Sequence, residues 1–455
     1  MTSLCLIAFS GALCANGNTV RTDITLESGW DYLRDSHGAL DSARHQIAAA
    51  RSADASTRNL YHPQVELQLR ATRINEPIEI DLNPIRQVIL NLHPEIAAGQ
   101  IPEFRTRVQD REFFQGSLNV VWPVYTGGRI SAARSAASAE IHQSKANLMQ
   151  TEAELLREYV RRYYSVALAE HAVALNAEQV ESMKRHLSRA IQLEENGQIA
   201  RVERLHAKVA FDKAKRDLSE AESDLRVARE GLTAWFDRPE NEWALASELK
   251  ILHPPVETKQ QTQRDSDRHP RLLQLDALRQ SAESAVQAER GALLPEVYLF
   301  GRQELNRSDL TLLDPEWAVG IGLNWNIWDR DGQRQRVRAA RSQNRRIESI
   351  RAQAAKDLNT LAIQSIEQWH QSAKRFDTLG SSLELASENL RVRELAFSEG
   401  QATSLDVVDA RLTYQRVLLA RAVSQYESLV YAATTAEALG STDLFWKWIQ
   451  PKDIR

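Results

Sequence analysis

The sequence predicts a mainly α protein with some β-structure, in which long antiparallel coiled-coil helices are joined to four strands long enough to span a membrane. Three observations predict it: an internal duplication, apolar–polar alternation in four segments, and heptad spacing through a long stretch without proline or glycine. Of the 455 residues, 43% are hydrophobic and 26% are charged, the balance of a folded chain. The net charge of -4 gives no basic field, which argues against a nucleic-acid partner.

Residues 1–15 have the pattern of a secretory signal peptide. An apolar run from Leu4 ends in small residues near Ala15, and both cysteines, Cys5 and Cys14, lie within it. No lysine or arginine precedes the run, so the alternatives are a start further upstream or a buried N-terminal segment. Removal of the segment would leave a chain without cysteine, which excludes disulfides and thiol catalysis. Lipidation of Cys14 is disfavoured because Leu13, and not a small residue, precedes it.

Beyond this segment the chain is an internal duplication. Three landmarks occur in the same order in residues 16–240 and in residues 265–440. They are a strand led by proline (Asn59–Leu67 and Ala292–Leu299), a strand that leads to a glycine turn (Leu118–Gly128 and Leu323–Gly332), and a turn between helices (Asn196–Gln198 and Glu399–Gln401). In this alignment Leu118 matches Leu323. Residues 241–264 connect the repeats, and residues 441–455 form a C-terminal tail.

Four strands are predicted, at about residues 63–73, 115–125, 295–305 and 316–328. The last is clearest, since its large apolar residues from Trp317 to Ile327 occupy alternate positions. The third is weaker, because Tyr298 and Phe300 share a face with charged residues. Trp317 and Trp325 lie on one face and suit a membrane aromatic girdle. For any single strand, a soluble sandwich with one wet face is the alternative.

Four strands of this length could cross a bilayer, but four alone cannot close a barrel wide enough to pass cargo. Several chains must therefore contribute strands to one barrel. We also expect residues 74–112 to form a long loop without regular structure outside the cell, and residues 306–315 to form a short loop.

Four long helices are predicted, at about residues 129–195, 200–236, 332–398 and 403–438. Helices of this length run to roughly 100 Å, far more than a globular core needs. Apolar residues recur every seven positions, which is typical of supercoiling. The heptad positions include Ile141, Leu148, Leu155, Tyr159, Val166, Val173, Val180 and Leu187 in the first helix, Ile347, Ala354, Leu361, Phe376, Leu383, Leu390 and Phe397 in the third, and Leu405, Leu412, Leu419 and Tyr426 in the last. A cytoskeletal coiled coil or a membrane-bending bundle would not need the alternating strands.

Three segments together resemble the TolC family of outer-membrane efflux proteins: Leu294-Pro295, Tyr125–Arg129 and Gly400–Ala410. The last, with a glycine turn followed by Leu-Asp-Val-Val-Asp-Ala, is the most specific. The resemblance covers essentially the whole mature chain. It implies a homotrimer that completes one α/β barrel in the lipid bilayer of the cell outer membrane, with a periplasmic helical tunnel and an equatorial belt containing residues 244–265 and the tail.

The function implied by this resemblance is an exit duct of a tripartite efflux or type I secretion system. Such a duct passively conducts substrates received from an inner-membrane transporter and a periplasmic adaptor, or membrane fusion protein. The alternative is a non-conducting coiled-coil scaffold in the periplasm or outer membrane. Neither hypothesis identifies the cargo.

The resemblance also implies a site at the helical tip. Its aspartates correspond to Asp406 and Asp409, which would form an acidic periplasmic gate with Glu203, the first-repeat equivalent of Asp406. The tip turns and adaptor contacts would be Gly197, Gln198, Gly400, Gln401 and Thr403. Phe397 and Ala402 replace a tyrosine and an arginine that help lock the gate in the family. As an alternative, carboxylates three residues apart commonly form a solvated helix face.

No enzyme motif accompanies these features, so no catalytic residue, cofactor or metal ligand is predicted. The histidines lack the spacing of a zinc site, and Gly320, Gly322 and Gly332 lack the spacing of a phosphate loop. The arginines from Arg334 to Arg346 begin a long helix with interleaved alanine and glutamine, which favours a solvated helix face over a nucleic-acid site.

Overall fold

A computed structural model describes residues 22–236, 243–255, 268–306, 315–328 and 332–450. The predicted signal peptide, both cysteines and most of the 306–315 loop lie outside these residues. The chain divides into two compact units. We call residues 46–145 and 274–351 the sheet unit, and residues 1–45, 146–273 and 352–455 the helical unit.

The described elements confirm the predicted fold class of long helices combined with a four-stranded sheet. The helices are α1 Leu26–Ser36, α2 Gly38–Arg58, α3 Asn83–Leu92, α4 Arg129–Glu195, α5 Arg201–Phe236, α6 Pro270–Gly291, α7 Gln333–Ser398, α8 Ser404–Ala438 and α9 Thr442–Ile449. The strands are β1 Thr22–Ile24, β2 Gln64–Arg73, β3 Ile78–Asp81, β4 Arg105–Gln109, β5 Glu112–Tyr125, β6 Trp243–Leu245, β7 Glu296–Glu304 and β8 Trp317–Asn324. Among the described residues no helix is both long enough and apolar enough to cross a lipid bilayer.

The sheet unit contains an antiparallel sheet in the order β2-β5-β7-β8. Its registers collect the predicted apolar residues on one face, because Val65 pairs with Val120 and Leu299 pairs with both Trp122 and Ile321. These apolar side chains are largely exposed in the single chain; Val319 and Ile321, for example, are each 72% exposed. The opposite, polar face of the sheet includes Gln64, Asn119 and Arg302. One face of the sheet is therefore apolar and uncovered.

Two aromatic residues on the polar face explain why β7 alternates weakly. Tyr298 pairs with Gly322, and Phe300 pairs with Gly320. A Cβ atom on either glycine would overlap the aromatic ring opposite. The rings thus lie over the glycines of β8 and cover backbone that would otherwise be bare.

Two predictions about the strands need correction. First, β8 ends at Asn324, so Trp325 lies just beyond the strand. Second, the strand pairing shows which residues of the two repeats are equivalent. Gln64 and Glu296 each follow the proline that leads their strand, and they pair with Val121 and Asn324, respectively. Leu118 is therefore equivalent to Ile321, and the sequence alignment of Leu118 with Leu323 was wrong by two residues. Alternating strands tolerate a shift of two because it keeps every side chain on its face.

The prediction of an irregular loop at residues 74–112 was also wrong. This segment contains the antiparallel pair β3 and β4, connected through α3. Side-chain bonds fix its shape: the Asp81 carboxylate accepts from Asn83 N at 2.9 Å, and the Asn83 side chain accepts from Phe104 N at 3.0 Å. Pro84 in the first turn of α3 favours that helix start.

Aromatic side chains dominate the core of the helical unit. Tyr159, Tyr163, Phe236, Trp243 and Trp369 are all at most 2% exposed. The Tyr163 hydroxyl donates to the Ile24 carbonyl at 2.8 Å, and the Trp369 indole donates to the Leu252 carbonyl at 2.7 Å. These bonds tie the N-terminal strand and the connector between the repeats to the long helices.

The long helices bury alanines at heptad spacing. Ala132, Ala139, Ala146 and Ala153 of α4 and Ala207, Ala214 and Ala221 of α5 are at most 8% exposed. The predicted heptad residues Leu405 and Leu419 of α8 are instead 53% and 40% exposed in the single chain. Small residues allow close approach of helix backbones, whereas Leu405 and Leu419 leave apolar surface uncovered in the single chain.

Candidate functional site

The two helix-to-helix turns at the tip of the helical unit have the same backbone. Gly197 has φ +71° and Gly400 has φ +72°, the left-handed region that glycine adopts without strain. Gln198 N donates to the Leu193 carbonyl, and Gln401 N donates to the Ala396 carbonyl, both at 2.8 Å. Each helix therefore ends in the same hydrogen-bonded glycine turn.

After the turns, the two repeats differ. In the second repeat Thr403 caps α8: its hydroxyl accepts from Asp406 N at 3.2 Å, while the Asp406 carboxylate accepts from Thr403 N at 3.0 Å. The other carboxylate oxygen lies 3.6 Å from Arg393. Hydrogen bonds from Thr403, together with the nearby Arg393 charge, hold the pKa of the Asp406 carboxyl below its usual range. Asp406 is thus already engaged as a helix cap.

In the first repeat, the carboxylate equivalent to that of Asp406 contacts the second repeat and not its own. Three residues after each turn glycine stand Ala200 and Thr403, so the first repeat has no side-chain cap. Glu203, three residues later, accepts instead from the backbone N–H of Ser404 at 2.6 Å. Ser404 begins α8 and is fully buried. Glu203 therefore caps the helix of the second repeat from α5 of the first.

A buried histidine lies beside this cross-repeat cap. The His186 imidazole Nε2 lies 2.7 Å from the Ser404 hydroxyl, and its ring centre lies 4.6 Å from that of Phe397. Burial lowers the pKa of His186 to about 4, although the nearby Glu203 charge opposes this shift. His186 is therefore neutral near pH 7. The interaction joins α4, α7 and α8 at the tip.

Asp409 differs from Asp406 in its surroundings. It lies on the next turn of α8 and is exposed, and its carboxylate makes no hydrogen bond or ion pair within the described part of the chain. The structure thus places Glu203, Thr403 and Asp406 together around the start of α8 and leaves Asp409 open to solvent. Gln198 and Gln401 are exposed on the turns themselves.

Sequence reasoning missed Arg411, a second link between the repeats. The residue is 8% exposed, and its guanidinium donates to Glu178 at 2.9 Å and to Gln179 at 3.0 Å. Both partners lie on α4, so the contact joins α8 to α4. Arg411 lies seven residues after Ser404 and therefore on the same buried face of α8, which is the signal that could have identified it.

A third tryptophan of the sheet unit, Trp122, occupies a position equivalent to that of Trp325, one of the two predicted girdle residues. Trp317 begins β8 and is 62% exposed. The Trp325 indole donates to the Leu293 carbonyl at 3.1 Å, and the Trp122 indole donates to the Tyr61 carbonyl at 2.9 Å. Leu293 and Tyr61 each lie two residues before the proline that leads a strand, so Trp122 and Trp325 are structural equivalents. The repeat symmetry was the missed signal for Trp122.

Two further observations bear on ligands and partners. Among the residues that the structure describes, no group of three or more His, Cys, Asp or Glu side chains could hold a metal ion. A groove of about 700 Å³ lies between α4, α5 and α8, lined by apolar Leu412 and Leu419 together with charged Lys213 and Asp217.

Comparison with known proteins gives a consistent picture. A family model described as outer membrane efflux protein matches residues 31–236. The chain is similar to the cobalt-zinc-cadmium resistance protein CzcC of Cupriavidus metallidurans, with 22% identity over 316 residues, 69% of this chain and 74% of that protein. Its fold is similar to that of CusC, with a TM-score of 0.76 and 12% identity over 94% of this chain and 95% of the other. The outer membrane protein VceC of Vibrio cholerae gives a TM-score of 0.74 and 13% identity over 91% and 96% of the two chains.

Proposed function

Because the chain belongs to the TolC family of outer membrane efflux proteins, we propose that it is an exit duct of a tripartite efflux or type I secretion system. It is a passive conduit of the outer membrane and not an enzyme. A homotrimer would receive substrate from an inner-membrane transporter through a periplasmic adaptor and release it outside the cell.

The observation that carries this proposal is the sheet with one uncovered apolar face. Its edge strands β2 and β8 each pair with one neighbour within the described sheet. Unpaired edges cannot remain in a membrane, because their N–H and C=O groups would lack partners. Copies of the chain that pair β2 of one protomer with β8 of the next would satisfy both edges and turn the apolar faces to lipid.

The helices support the same assembly. Leu405 and Leu419 of α8, together with Val209 and Val227 of α5, are between 40% and 71% exposed in the single chain. Where such side chains form a contiguous apolar surface, that surface marks a site of contact with another chain. We assign these surfaces to neighbouring protomers and, near Gly197 and Gly400, to the adaptor.

At the tip we propose that Asp409 supplies most of the acidic gate. Its carboxylate is exposed, whereas the Asp406 carboxylate is engaged with Thr403. Three copies of Asp409 near one axis would bind a multivalent cation and oppose anions. Glu203 and Arg411 would hold the closed arrangement where the tyrosine and arginine of the family are replaced.

Single-channel recording of the purified protein in planar bilayers, with its oligomeric mass measured in parallel, tests the proposal. We expect discrete channels from a trimer, blocked by a multivalent cation. Asp409→Asn should weaken that block more than Asp406→Asn does.

A matched control, Glu27→Gln with Asp31→Asn, removes exposed carboxylates from α1 and should leave the block unchanged. If trimeric channels form and the multivalent cation blocks Asp409→Asn and wild type equally, the gate assignment is wrong but the duct proposal stands. A protein without conductance would overturn the duct and favour a scaffold.

A further inference from the structure

The first turns of α7 carry far more positive charge than the equivalent turns of α4. Residues 333–349 contain six arginines and one glutamate, whereas residues 129–145 contain two arginines, one lysine and one glutamate. Both segments follow a strand of the sheet and a glycine with positive φ, Gly332 or Gly128. Because the backbone plan is shared, the extra arginines are a property of the second repeat alone.

Three of these arginines form an exposed stripe. Arg338, Arg341 and Arg345 are spaced three and four residues apart, so they lie along one side of the helix. All three are exposed, and no ion pair of theirs occurs within the described residues. Val337 and Ile347 of the same helix are buried and lie outside this stripe. The stripe is therefore a cationic surface with no partner in the sheet unit.

Contacts of α7 with α6 show which way the stripe points. Gln333 donates to the Glu289 carbonyl at 2.8 Å, and the Arg336 guanidinium lies 3.5 Å from the Glu289 carboxylate. Glu289 lines a cavity of about 980 Å³ together with Gln64 and Tyr298, which lie on the polar face of the sheet.

At about 100° per residue, the stripe lies between about 140° and 200° around the helix from Arg336. It therefore points away from the polar face and toward the side of the sheet that carries the apolar residues. Trp325 and Ile327, which continue the alternation of that side in the sequence, are 53% and 80% exposed shortly before α7 begins. Aromatic side chains of this kind lie at the level of lipid head groups.

We propose that Arg338, Arg341 and Arg345 bind the phosphates of anionic phospholipids at the periplasmic surface of the outer membrane. Guanidinium groups form paired, charge-assisted hydrogen bonds to phosphate, and basic residues next to a membrane-spanning segment are attracted to anionic lipid. Three protomers would place nine such arginines around the duct. This inference rests on the proposed membrane location, and it adds a lipid requirement that the duct function does not contain.

The test uses full-length trimer in phosphatidylcholine vesicles that contain a minor fraction of phosphatidylglycerol. Electron spin resonance of spin-labelled lipids gives the preference of the protein surface for each lipid. For wild type we expect a several-fold preference for phosphatidylglycerol that weakens at high salt. The variant R338Q/R341Q/R345Q should lose it and bind both lipids about equally.

The control R185Q/R189Q/R216Q removes the same charge from exposed positions on α4 and α5 and should keep the preference. A preference that survives in R338Q/R341Q/R345Q would overturn the proposal. Two further results would identify what the stripe does instead. If the variant keeps its lipid preference but changes the ion selectivity of the channel, the stripe faces the pore. If it keeps its lipid preference but no longer binds peptidoglycan sacculi, the stripe binds the cell wall. Channel recordings on the same preparations test the duct separately, because a variant without lipid preference can still conduct.

Discussion

The two tip turns share one backbone but differ in how the following helix is capped. Gly197 and Gly400 have nearly the same φ, and the bonds that Gln198 N and Gln401 N donate to the ends of α4 and α7 are both 2.8 Å long. Yet Thr403 and Asp406 cap α8 from within their own hairpin, whereas Glu203 reaches from α5 to Ser404. Duplication preserved the turn, and the change at one position, Ala200 against Thr403, left one carboxylate available to link the repeats.

The largest expected effect comes from breaking the cross-repeat cap. Glu203→Ala leaves the buried Ser404 N–H without its charged acceptor, which costs about 2 to 3 kcal/mol. Hydrogen exchange of the amides of residues 403–409 measures this as a loss of local stability. Glu203→Gln keeps an acceptor and should lose less than half as much. Equal protection in wild type and Glu203→Ala would show that the contact does not stabilise the start of α8.

Acidification should destabilise the same part of the tip, because it charges the buried His186 beside Ser404. The folded pKa of about 4 lies below the ordinary 6.5, so the unfolded chain binds the proton more tightly. The contribution of neutral His186 to the free energy of unfolding is complete above about pH 6.5 and is lost as the pH falls toward 4. The loss is about 2 kcal/mol between pH 7.5 and pH 5.

Hydrogen exchange of residues 403–409 across this range measures the loss. His186→Gln should flatten the profile, while His45→Gln, at an exposed position on α2, should not. A profile that stays equally steep in His186→Gln would assign the titration to other groups.

The smallest effects test the local caps. Thr403→Ala removes a helix cap and should destabilise the start of α8 by about 1 kcal/mol. Ala200→Ser introduces the corresponding cap in the first repeat and should stabilise the start of α5 by about 0.5 kcal/mol. Thermal unfolding and hydrogen exchange measure both. If Ala200→Ser loosened residues 403–409 instead, the new cap would be competing with Glu203 for its contact.

Much of the fold followed from the sequence because it depends on periodic patterns. Heptads and glycine turns predicted the long helices, and alternation predicted the four strands. Alternation of period two looks the same after a shift of two residues, so it did not fix which residue of the second repeat matches Leu118. The short apolar run from Val88 to Leu92 was too brief to predict α3. The buried alanines were missed because the search followed large apolar side chains.

The site was less predictable because it depends on contacts between residues far apart in the chain. The motif identified Asp406 and Glu203 as important but could not show that both carboxylates are occupied in capping. His186 and Arg411 carry no local motif; each acquires its partner only when α4 meets α8. The roles of Asp409 and of the turn residues in gating and adaptor contact stay predictions.

The alanine heptads have a mechanical consequence. A helix contact built from large side chains is interlocked, so shifting one helix along the other requires several side chains to change rotamer together. Alanine has no side-chain rotamer to change. A displacement of a neighbouring helix along the face of α5 that presents Ala207, Ala214 and Ala221 would therefore require no change of rotamer on that face.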